Sequence, residues 1–343
     1  MWNTVKRWLG ELFSQAREFV LRLAGQPIGR WVEGSYAESN SRVFFFLPQS
    51  KRTYHLYLPR RYSLNRAAPL VVMLHGCKQD AATFASGTRM NELADQEGFV
   101  VLYPEQKRMA NAHRCWNWFD SSSQRGDGEA ALIAGMVREV LRTHAIDPSR
   151  VYIAGLSAGG AMTSVMASCY GSLFAACAIH SGLMYGAAES VSQASRAMKH
   201  SSRASVKDTV RQAMGHDGFD FVPALVIHGT ADSVVNPANA DQVVEQFIAM
   251  AAPAGINGAP VAEFATTKAA GGRRGFEIRE YRSGDTLLSR KVLVQGLDHA
   301  WSGGNGAHPF NDPFGPDASR MIWEFFNEFQ RSQQKQKAAA NFG

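Results

Sequence analysis

The chain has 343 residues, of which 45% are hydrophobic and 19% are charged, and its formal net charge is +6. These values exclude wholesale disorder and allow a sizeable core, as is ordinary for an α/β protein of this length. The positive charge forms no basic stripe interleaved with aromatic residues, which argues against a nucleic-acid interface, and no apolar run approaches the ~20 residues of a membrane span.

Residues 4–24 are predicted to form one amphipathic helix, because hydrophobic residues recur there at three- and four-residue spacing with charges on the other face. Such a helix either docks on the body of the protein or on a partner subunit, or lies on a membrane or a hydrophobic polymer surface. Its charges interrupt any signal-peptide hydrophobic region, and no small-residue cleavage site follows in the usual place. The compartment is therefore not predicted, and residues 25–40 are interpreted as a linker.

From residue 41 onward the sequence alternates between strand and helix patterns. Residues 42–47 and 52–58 are predicted to pair as antiparallel strands at a sheet edge. Continuous apolar runs, typical of strands buried on both faces, follow at Leu70–Leu74, Phe99–Tyr103, Val151–Ala154, Ala175–Ile179 and Ala224–Ile227. Helices are predicted near residues 81–96, 129–145, 159–170 and 239–252, and a last strand and helix near residues 291–294 and 317–331.

This alternation predicts an α/β fold with a mainly parallel central sheet and helices on both faces. We expect residues 41–331 to form one domain and residues 1–40 to be the N-terminal helix and linker. A small cap or rim insertion is expected near residues 183–221, where polar, helix-prone sequence separates two core strands. Residues 332–343 are expected to be a flexible tail.

The segment Gly155-Leu-Ser157-Ala-Gly159 lies between a predicted buried strand and a predicted helix. This is the context of the nucleophile elbow of α/β-hydrolases, in which a sharp turn exposes a serine at the head of a helix. Glycine suits positions 155 and 159 because side chains there would collide with the tight turn and its neighbours. We therefore predict that residues 41–331 are an α/β-hydrolase catalytic domain with Ser157 as the nucleophile.

A serine hydroxyl needs a base, and in this fold the partners follow in the order serine, acid, histidine. Asp232 comes just after a predicted buried strand, and His299 comes after the last one. Both lie near the carboxyl ends of parallel strands, where an open α/β sheet gathers its site. We predict that His299 accepts the Ser157 proton. Asp232 is predicted to hold the imidazole in the right tautomer, with Asp298 as the rival acid.

An oxyanion hole needs two preorganised backbone N–H groups. One is predicted to be that of Ala158, directly after the nucleophile, and the other that of Cys77, in the loop after the strand at Leu70–Leu74. Cys77 has a second predicted role, a disulfide bond with Cys115 that would clamp this loop to an aromatic segment. The alternative, two reduced cysteines, stays open at this point.

Other residues near the predicted site have two interpretations each. Trp116, Trp118 and Trp301 flank site loops, so they either bind an apolar or ring-bearing acyl chain at a cleft rim or pack in the core. His180 and His228 end core strands and are interpreted as structural. No metal-ligand spacing and no phosphate loop is present, so neither a metal nor a cofactor is expected.

Five sequence blocks resemble the polyhydroxybutyrate (PHB) depolymerase family of esterases, whose relatives include feruloyl and acetylxylan esterases. The blocks are Leu74-His-Gly-Cys77, Cys115-Trp-Asn-Trp-Phe119, residues 147–160, His228-Gly-Thr-Ala-Asp232 and His299-Ala-Trp-Ser-Gly-Gly304. The resemblance covers about residues 42–331. It implies a triad of Ser157, Asp232 and His299 and an oxyanion hole lined by Cys77 and Ala158. Family members are often extracellular, and those that attack solid polymer usually carry a linker and a substrate-binding domain that are not seen in this sequence.

We therefore expect a serine hydrolase of carboxylic esters that works through an acyl-Ser157 intermediate without a cofactor. The resemblance implies polyester degradation, with polyhydroxyalkanoate chains or oligomers, or related short-acyl esters, as substrates. Feruloyl or acetylxylan esterase activity is the alternative. Two interpretations from other classes stay open: a serine peptidase, which can share this fold and triad, and a non-catalytic granule or surface protein anchored through residues 4–24.

Overall fold

The computed structural model describes residues 29–37, 51–256, 261–267 and 272–331. The helix predicted over residues 4–24, the strand predicted over residues 42–47 and the tail predicted over residues 332–343 lie outside the described residues. No helix in the described ranges combines the length and apolarity needed to cross a bilayer.

A ten-stranded sheet forms the centre of the molecule. Its strands are β1 (Arg30–Ala37), β2 (Lys51–Leu58), β3 (Ala68–Leu74), β4 (Val100–Pro104), β5 (Ile146–Leu156), β6 (Ala176–His180), β7 (Ala224–Gly229), β8 (Val261–Thr267), β9 (Phe276–Ser283) and β10 (Thr286–Val294). Their order across the sheet is β1-β2-β4-β3-β5-β6-β7-β10-β9-β8. The neighbours from β4 to β10 in this order are all parallel, and only the two edges are antiparallel. The prediction of a mainly parallel sheet is confirmed.

Helices cover both faces of this sheet. They are α1 (Ala81–Thr88), α2 (Met90–Glu97), α3 (Ser121–Gln124), α4 (Gly128–Thr143), α5 (Ala158–Cys169), α6 (Val191–His200), α7 (Val206–Met214), α8 (Ala238–Ala251) and α9 (Ala318–Asn327). The buried side chains of α1, α2 and α9 belong to one hydrophobic core, and those of α4 to α8 belong to the other. A short parallel ladder, β11 (Trp301–Ser302) with β12 (Asn311–Asp312), follows the sheet.

The two cores follow from the two-residue period of the strands. In β3, Leu70, Val72 and Leu74 face one core, whereas Val71 and Met73 face the other. All five are at most 1% exposed. Full burial of such a side chain stabilises the fold by about 1.5–3 kcal/mol, which explains why a continuous apolar run is stable only as a central strand.

The order of the strands reverses at β3. The chain passes from β3 to β4 on one side and then returns to place β5 on the other side. In open α/β sheets such a reversal opens a crevice at the carboxyl ends of the two strands that flank it. The loop after β3 carries Cys77 and the turn after β5 carries Ser157, so both predicted parts of the site lie at this crevice.

The interpretation of residues 25–40 as a linker is wrong for residues 30–37, which form β1. This strand pairs antiparallel with β2 along its whole length, from Arg30 opposite Leu58 to Ala37 opposite Lys51. No residue of β1 is fully buried. An edge strand of this kind carries little hydrophobic periodicity, so its pairing is set by the neighbouring backbone rather than by an apolar pattern.

The antiparallel pair at the opposite edge was also not predicted. The side chains of β9 are nearly all half-buried, and charged residues are mixed among the apolar ones. Arg290 of β10 donates to the Glu280 carboxylate of β9, and Arg282 donates to the same group at 2.9 Å. Charged pairs across strands stabilise such an edge without producing an apolar run.

The insertion predicted near residues 183–221 is present between β6 and β7. It contains α6 and α7, and α7 packs on α8. The segment leading into it is buried rather than exposed, since Leu183, Met184 and Tyr185 are at most 1% exposed. The insertion is therefore tied to the core on one face of the sheet.

Candidate active site

Ser157 stands at a sharp turn between β5 and α5. Its backbone has φ 58° and ψ −119°, a region that residues other than glycine rarely adopt. The Ser157 N–H donates to the His180 carbonyl at the end of β6, at 2.9 Å. Such a conformation persists only where the surroundings impose it, and strained backbone of this kind is concentrated at functional sites.

Two glycines make this turn sterically possible. A Cβ on Gly155 would lie 2.3 Å from the Gly159 carbonyl carbon, and a Cβ on Gly159 would lie 2.1 Å from the Leu74 carbonyl oxygen. The first residues of α5 therefore pack directly on the end of β3. This contact explains in three dimensions why the motif has glycine at both positions.

His299 and Asp232 meet at the ends of two adjacent parallel strands. β7 and β10 are hydrogen-bonded neighbours, and the loops that follow them carry Asp232 and His299. His299 Nδ1 lies 2.9 Å from Asp232 Oδ2 and 3.1 Å from Oδ1. The Asp232 side chain is fully buried and that of His299 is 8% exposed. The structure thus places the predicted acid against the predicted base.

The Asp232 carboxyl is held as a carboxylate. Burial by itself raises its pKa, but hydrogen bonds from His228, His299 and the Val235 N–H outweigh burial, so the pKa lies well below its ordinary value. Oδ1 accepts from the Val234 and Val235 N–H groups at 3.0 and 2.8 Å. The carboxylate is therefore oriented by the turn that follows it.

The rival acid, Asp298, has a different partner. Its Oδ1 accepts from the Ser233 N–H at 2.9 Å and from the Ser233 hydroxyl at 2.8 Å. These bonds hold the pKa of Asp298 below its ordinary value. Since Ser233 follows Asp232, Asp298 clamps the two site loops together instead of orienting the imidazole.

The loop after β3 packs on Ser157. A Cβ on Gly76 would lie 3.5 Å from the Ser157 Cβ, and the Gly76 N–H donates to Gln79 Oε1 at 2.9 Å. The Lys78 N–H donates to the His113 carbonyl at 2.6 Å. Cys77, between these anchors, forms a disulfide bond with Cys115. The loop is therefore attached to the segment after β4 by both a covalent and a hydrogen bond.

A buried carboxylate that the sequence did not indicate holds the segment after β4, to which the Cys77 loop is attached. Glu129, in α4, is 8% exposed. It accepts from the Asn117 backbone N–H at 2.7 Å and from Asn117 Nδ2 at 2.9 Å. It also accepts from Gln106 Nε2, which in turn donates to the Cys115 carbonyl at 3.1 Å. A lone Glu on an otherwise apolar helix face was the available signal for this role.

The predicted tryptophan rim is corrected by the structure. Trp116, Trp118 and Trp301 are 1%, 3% and 1% exposed. The Trp301 ring stacks on His180 at 5.0 Å and meets Phe84 edge-on at 5.7 Å. Because these three rings are buried, they offer no exposed face to a substrate. They pack in the core, which was the alternative interpretation.

The two other histidines of this region are buried beside the site. Burial lowers the pKa of His180 to about 3, so it is neutral. The Ser302 N–H donates to His180 Nε2 at 3.2 Å, which leaves the proton on Nδ1. His228 Nε2 lies 2.9 Å from the Val235 carbonyl and 3.4 Å from Asp232 Oδ2. His180 fits the structural interpretation, whereas His228 contacts the predicted acid. No group of three or more possible metal ligands is found among the described residues.

Sequence comparison relates this chain to esterases. A family model described as Esterase PHB depolymerase matches residues 52–273. Poly(3-hydroxyalkanoate) depolymerase C of Paucimonas lemoignei is 43% identical over 187 residues, which are 52% of this chain and 44% of that protein. Feruloyl esterase B of Thermothelomyces thermophilus is 31% identical over 207 residues, which are 56% of this chain and 68% of that protein. The match to the depolymerase thus spans less than half of its length.

Comparison with solved structures supports an α/β-hydrolase fold. The acetyl xylan esterase from Aspergillus awamori superposes with a TM-score of 0.63 at 21% sequence identity. The match covers 78% of this chain and 94% of that one. At this identity the likeness concerns the fold, which is that of the α/β-hydrolase esterases.

Proposed function

Because the chain belongs to the PHB depolymerase family of esterases, whose model spans residues 52–273, we propose that it hydrolyses carboxylic esters through an acyl-Ser157 intermediate. The observation that carries the proposal is the buried Asp232 carboxylate, 2.9 Å from His299 Nδ1. A carboxylate there holds the proton on Nδ1 and leaves Nε2 free to act as a base. The serine that this base would serve stands on the strained turn after β5.

The chemistry proceeds in two steps. His299 takes the Ser157 proton as the serine oxygen attacks the ester carbonyl, and it then returns that proton to the leaving alkoxide. A water molecule, activated by the same imidazole, hydrolyses the acyl-enzyme. Asp232 stabilises the imidazolium formed in each step and stays ionised, because its hydrogen bonds keep its pKa low.

The backbone N–H groups of Cys77 and Ala158 are proposed to form the oxyanion hole. Within the described residues neither N–H donates to a protein acceptor. Ala158 is the first residue of α5, where helix N–H groups are left without intrahelical partners. Two preorganised donors beside the nucleophile supply the electrostatic stabilisation that acyl transfer needs, and loss of one such donor typically costs ~10²- to 10³-fold in rate.

We propose hydroxyalkanoate oligomers or polymer chains as the first substrate class to test, because identity is higher to the depolymerase than to the feruloyl esterase. Feruloyl or acetyl esters are the second candidate, since the chain covers a larger share of the feruloyl esterase. A panel of hydroxybutyrate oligomers, methyl ferulate and acetylated xylan, compared by kcat/KM, separates the two. Higher turnover of a matched amide than of its ester would instead favour a peptidase.

Ser157→Ala tests the catalytic proposal. We expect turnover of p-nitrophenyl butyrate to fall at least ~10³-fold, because a triad without its nucleophile retains only the contribution of binding and the oxyanion hole. Labelling by a fluorophosphonate probe should also disappear. Ser168→Ala is the matched control, because Ser168 lies in the same helix and its hydroxyl donates to the Ser164 carbonyl. Full activity in Ser157→Ala would refute the assignment.

A further inference from the structure

Two histidines, not one, contact the Asp232 carboxylate. His299 Nδ1 lies 2.9 Å from Oδ2. His228 Nε2 lies 3.4 Å from the same oxygen, on the side of the core. The side chains of His228 and Asp232 are fully buried. A carboxylate oxygen therefore sits between two imidazoles, although a triad requires only one.

The hydrogen bonds of His228 define its protonation state. Its Nε2 lies 2.9 Å from the Val235 carbonyl oxygen, which can only accept, so Nε2 carries the proton. Its Nδ1 is buried and has no hydrogen-bond partner among the described residues. A second proton on Nδ1 would be an unpartnered donor in the interior, so His228 is neutral. Its single N–H donates to the Val235 carbonyl, and Nε2 also lies 3.4 Å from Asp232 Oδ2.

The other titratable groups near His228 and Asp232 have partners of their own. His180, on β6, is neutral and donates from Nδ1 toward Ser181, away from Asp232. Asp298, on the loop after β10, is held by Ser233. Of the titratable side chains that the structure describes around Asp232, only His228 and His299 have a ring nitrogen within 3.5 Å of its carboxylate.

We propose that His228 is a positioning residue that aims the Asp232 carboxylate at His299 and tunes its basicity. This inference rests on the proposed triad. His228 Nε2 contacts both the Val235 carbonyl at 2.9 Å and Asp232 Oδ2 at 3.4 Å, while the Val235 N–H donates to Oδ1 at 2.8 Å. His228 thus closes the turn from residue 232 to residue 235 around the carboxylate. The buried Nδ1 of His228 has no partner among the described residues, and this costs stability. The contacts of Nε2–H are therefore what an imidazole provides at this position.

Loss of this N–H has a defined electrostatic sign. A carboxylate that loses one hydrogen-bond donor becomes more basic and attracts the His299 imidazolium more strongly. We therefore expect the acid limb of the kcat/KM profile to move to higher pH. Freedom of the carboxylate to rotate also lowers kcat, because the imidazole is no longer held toward the nucleophile.

Asn and Gln at position 228 carry the same amide on side chains of different length, so they distinguish a role of His228 in positioning Asp232 from a role in filling space. His228→Gln places an amide N–H near the position of Nε2 and keeps the donor, whereas His228→Asn places it near Nδ1 and removes the donor. His228→Leu removes the donor while filling the core, and serves if the Asn variant does not fold. Thermal unfolding of each variant reports its stability separately.

The measurements are the pH profile of kcat/KM with p-nitrophenyl butyrate and the NMR titration of 13C-labelled His299 in the full chain. We expect His228→Asn and His228→Leu to move the acid limb of the profile and the midpoint of the NMR titration to higher pH by about 0.5–1 unit and to lower kcat about tenfold. His228→Gln should restore the wild-type profile, midpoint and kcat. Wild-type profiles in folded Asn and Leu variants, or equal effects of Gln and Asn, would overturn the proposal.

The two proposals fail in different ways. If Ser157→Ala retains turnover, the triad is wrong, yet the NMR titration still reads the effect of His228 on the His299 imidazole. If Ser157→Ala is inactive while the position-228 variants leave the His299 titration unchanged, the triad stands and the positioning role of His228 is refuted.

Discussion

Two histidines near Ser157, His75 and His180, are each held in one protonation state by burial and by hydrogen bonds with the backbone. Burial lowers the pKa of His75, whose Nε2 accepts the Gln106 N–H at 3.1 Å. Burial likewise lowers the pKa of His180, which accepts from Ser302. These neutral rings serve as fixed hydrogen-bonding parts of the loops, which is consistent with the proposal that His299 carries out the proton transfer.

The neutral state of His180 makes stability depend on pH. Its pKa is about 3 in the folded protein against 6.5 as the ordinary value, so between these values the unfolded chain binds more protons. This contribution to the free energy of unfolding is complete above the ordinary value and is lost as the pH falls toward 3. We expect the urea midpoint to drop between about pH 7 and about pH 5, and to drop less in His180→Gln.

The exposed His113 offers the matched comparison for this measurement. His113→Gln removes a histidine that is not buried, so its urea midpoint should follow the wild-type pH dependence. An equal pH dependence in His180→Gln and the wild type would show that His180 is not the group that titrates.

At the scale of the element, the loop after β3 is the most heavily restrained part of the site. A disulfide bond, the Lys78 to His113 hydrogen bond and the Gly76 to Gln79 bond all act within a few residues of Cys77. An oxyanion donor is effective only when it is held in place before the reaction, since reorganisation during the reaction would cost the stabilisation that it supplies. The restraints are therefore consistent with the proposed role of the Cys77 N–H.

Removal of the bridge tests this view. In the double variant Cys77→Ala/Cys115→Ala the backbone donor remains but the covalent restraint is lost. Closing a loop across 38 residues of sequence separation is worth about 4 kcal/mol in the chain-entropy model, so urea unfolding should show a loss of up to this size. We expect kcat to fall about tenfold as well, because the donor is less well positioned.

Cys169→Ala is the control for the bridge, because Cys169 is a free buried cysteine outside the loop. Its kcat should stay near the wild-type value. If the double variant keeps the wild-type kcat, the bridge has no part in positioning the donor, whatever its effect on stability.

At the scale of the whole molecule, β1 extends the folded unit beyond the start that the sequence suggested. A Cβ on Gly135 would lie 2.1 Å from Tyr36 Cε1, so the Tyr36 ring packs directly on α4. Tyr36 also packs against the core on that face of the sheet. A strand joined both to β2 and to a core helix should unfold together with the sheet.

Tyr36→Ala therefore tests whether β1 belongs to the global folding unit. We expect the free energy of unfolding to fall by about 1–3 kcal/mol within a single transition, because a half-buried ring is lost from the contact with α4. Ser35→Ala, at an exposed neighbouring position, should change little. Equal stability of Tyr36→Ala and the wild type in urea would return residues 30–37 to the status of a linker.

Local sequence patterns by themselves determined much of this protein. Five apolar runs predicted the central parallel strands, because a strand buried on both faces must be apolar along its length. The glycines around Ser157 predicted its turn, because only glycine tolerates the contacts found at residues 155 and 159. The predicted strands place Ser157, Asp232 and His299 each just after a strand end, and the carboxyl ends of parallel strands gather at one edge of the sheet.

Tertiary structure decided the features that depend on which groups meet in space. Burial and hydrogen-bond partners distinguish the two candidate acids. Asp232 is buried beside His299, whereas Asp298 is exposed and accepts from Ser233. Tertiary packing also decides three other features: the burial of the three tryptophans, the pairing of β1 with β2, and the contact of His228 with Asp232. Sequence periodicity reports the face of an element that is buried, whereas hydrogen bonds between distant loops depend on the packing of the whole sheet.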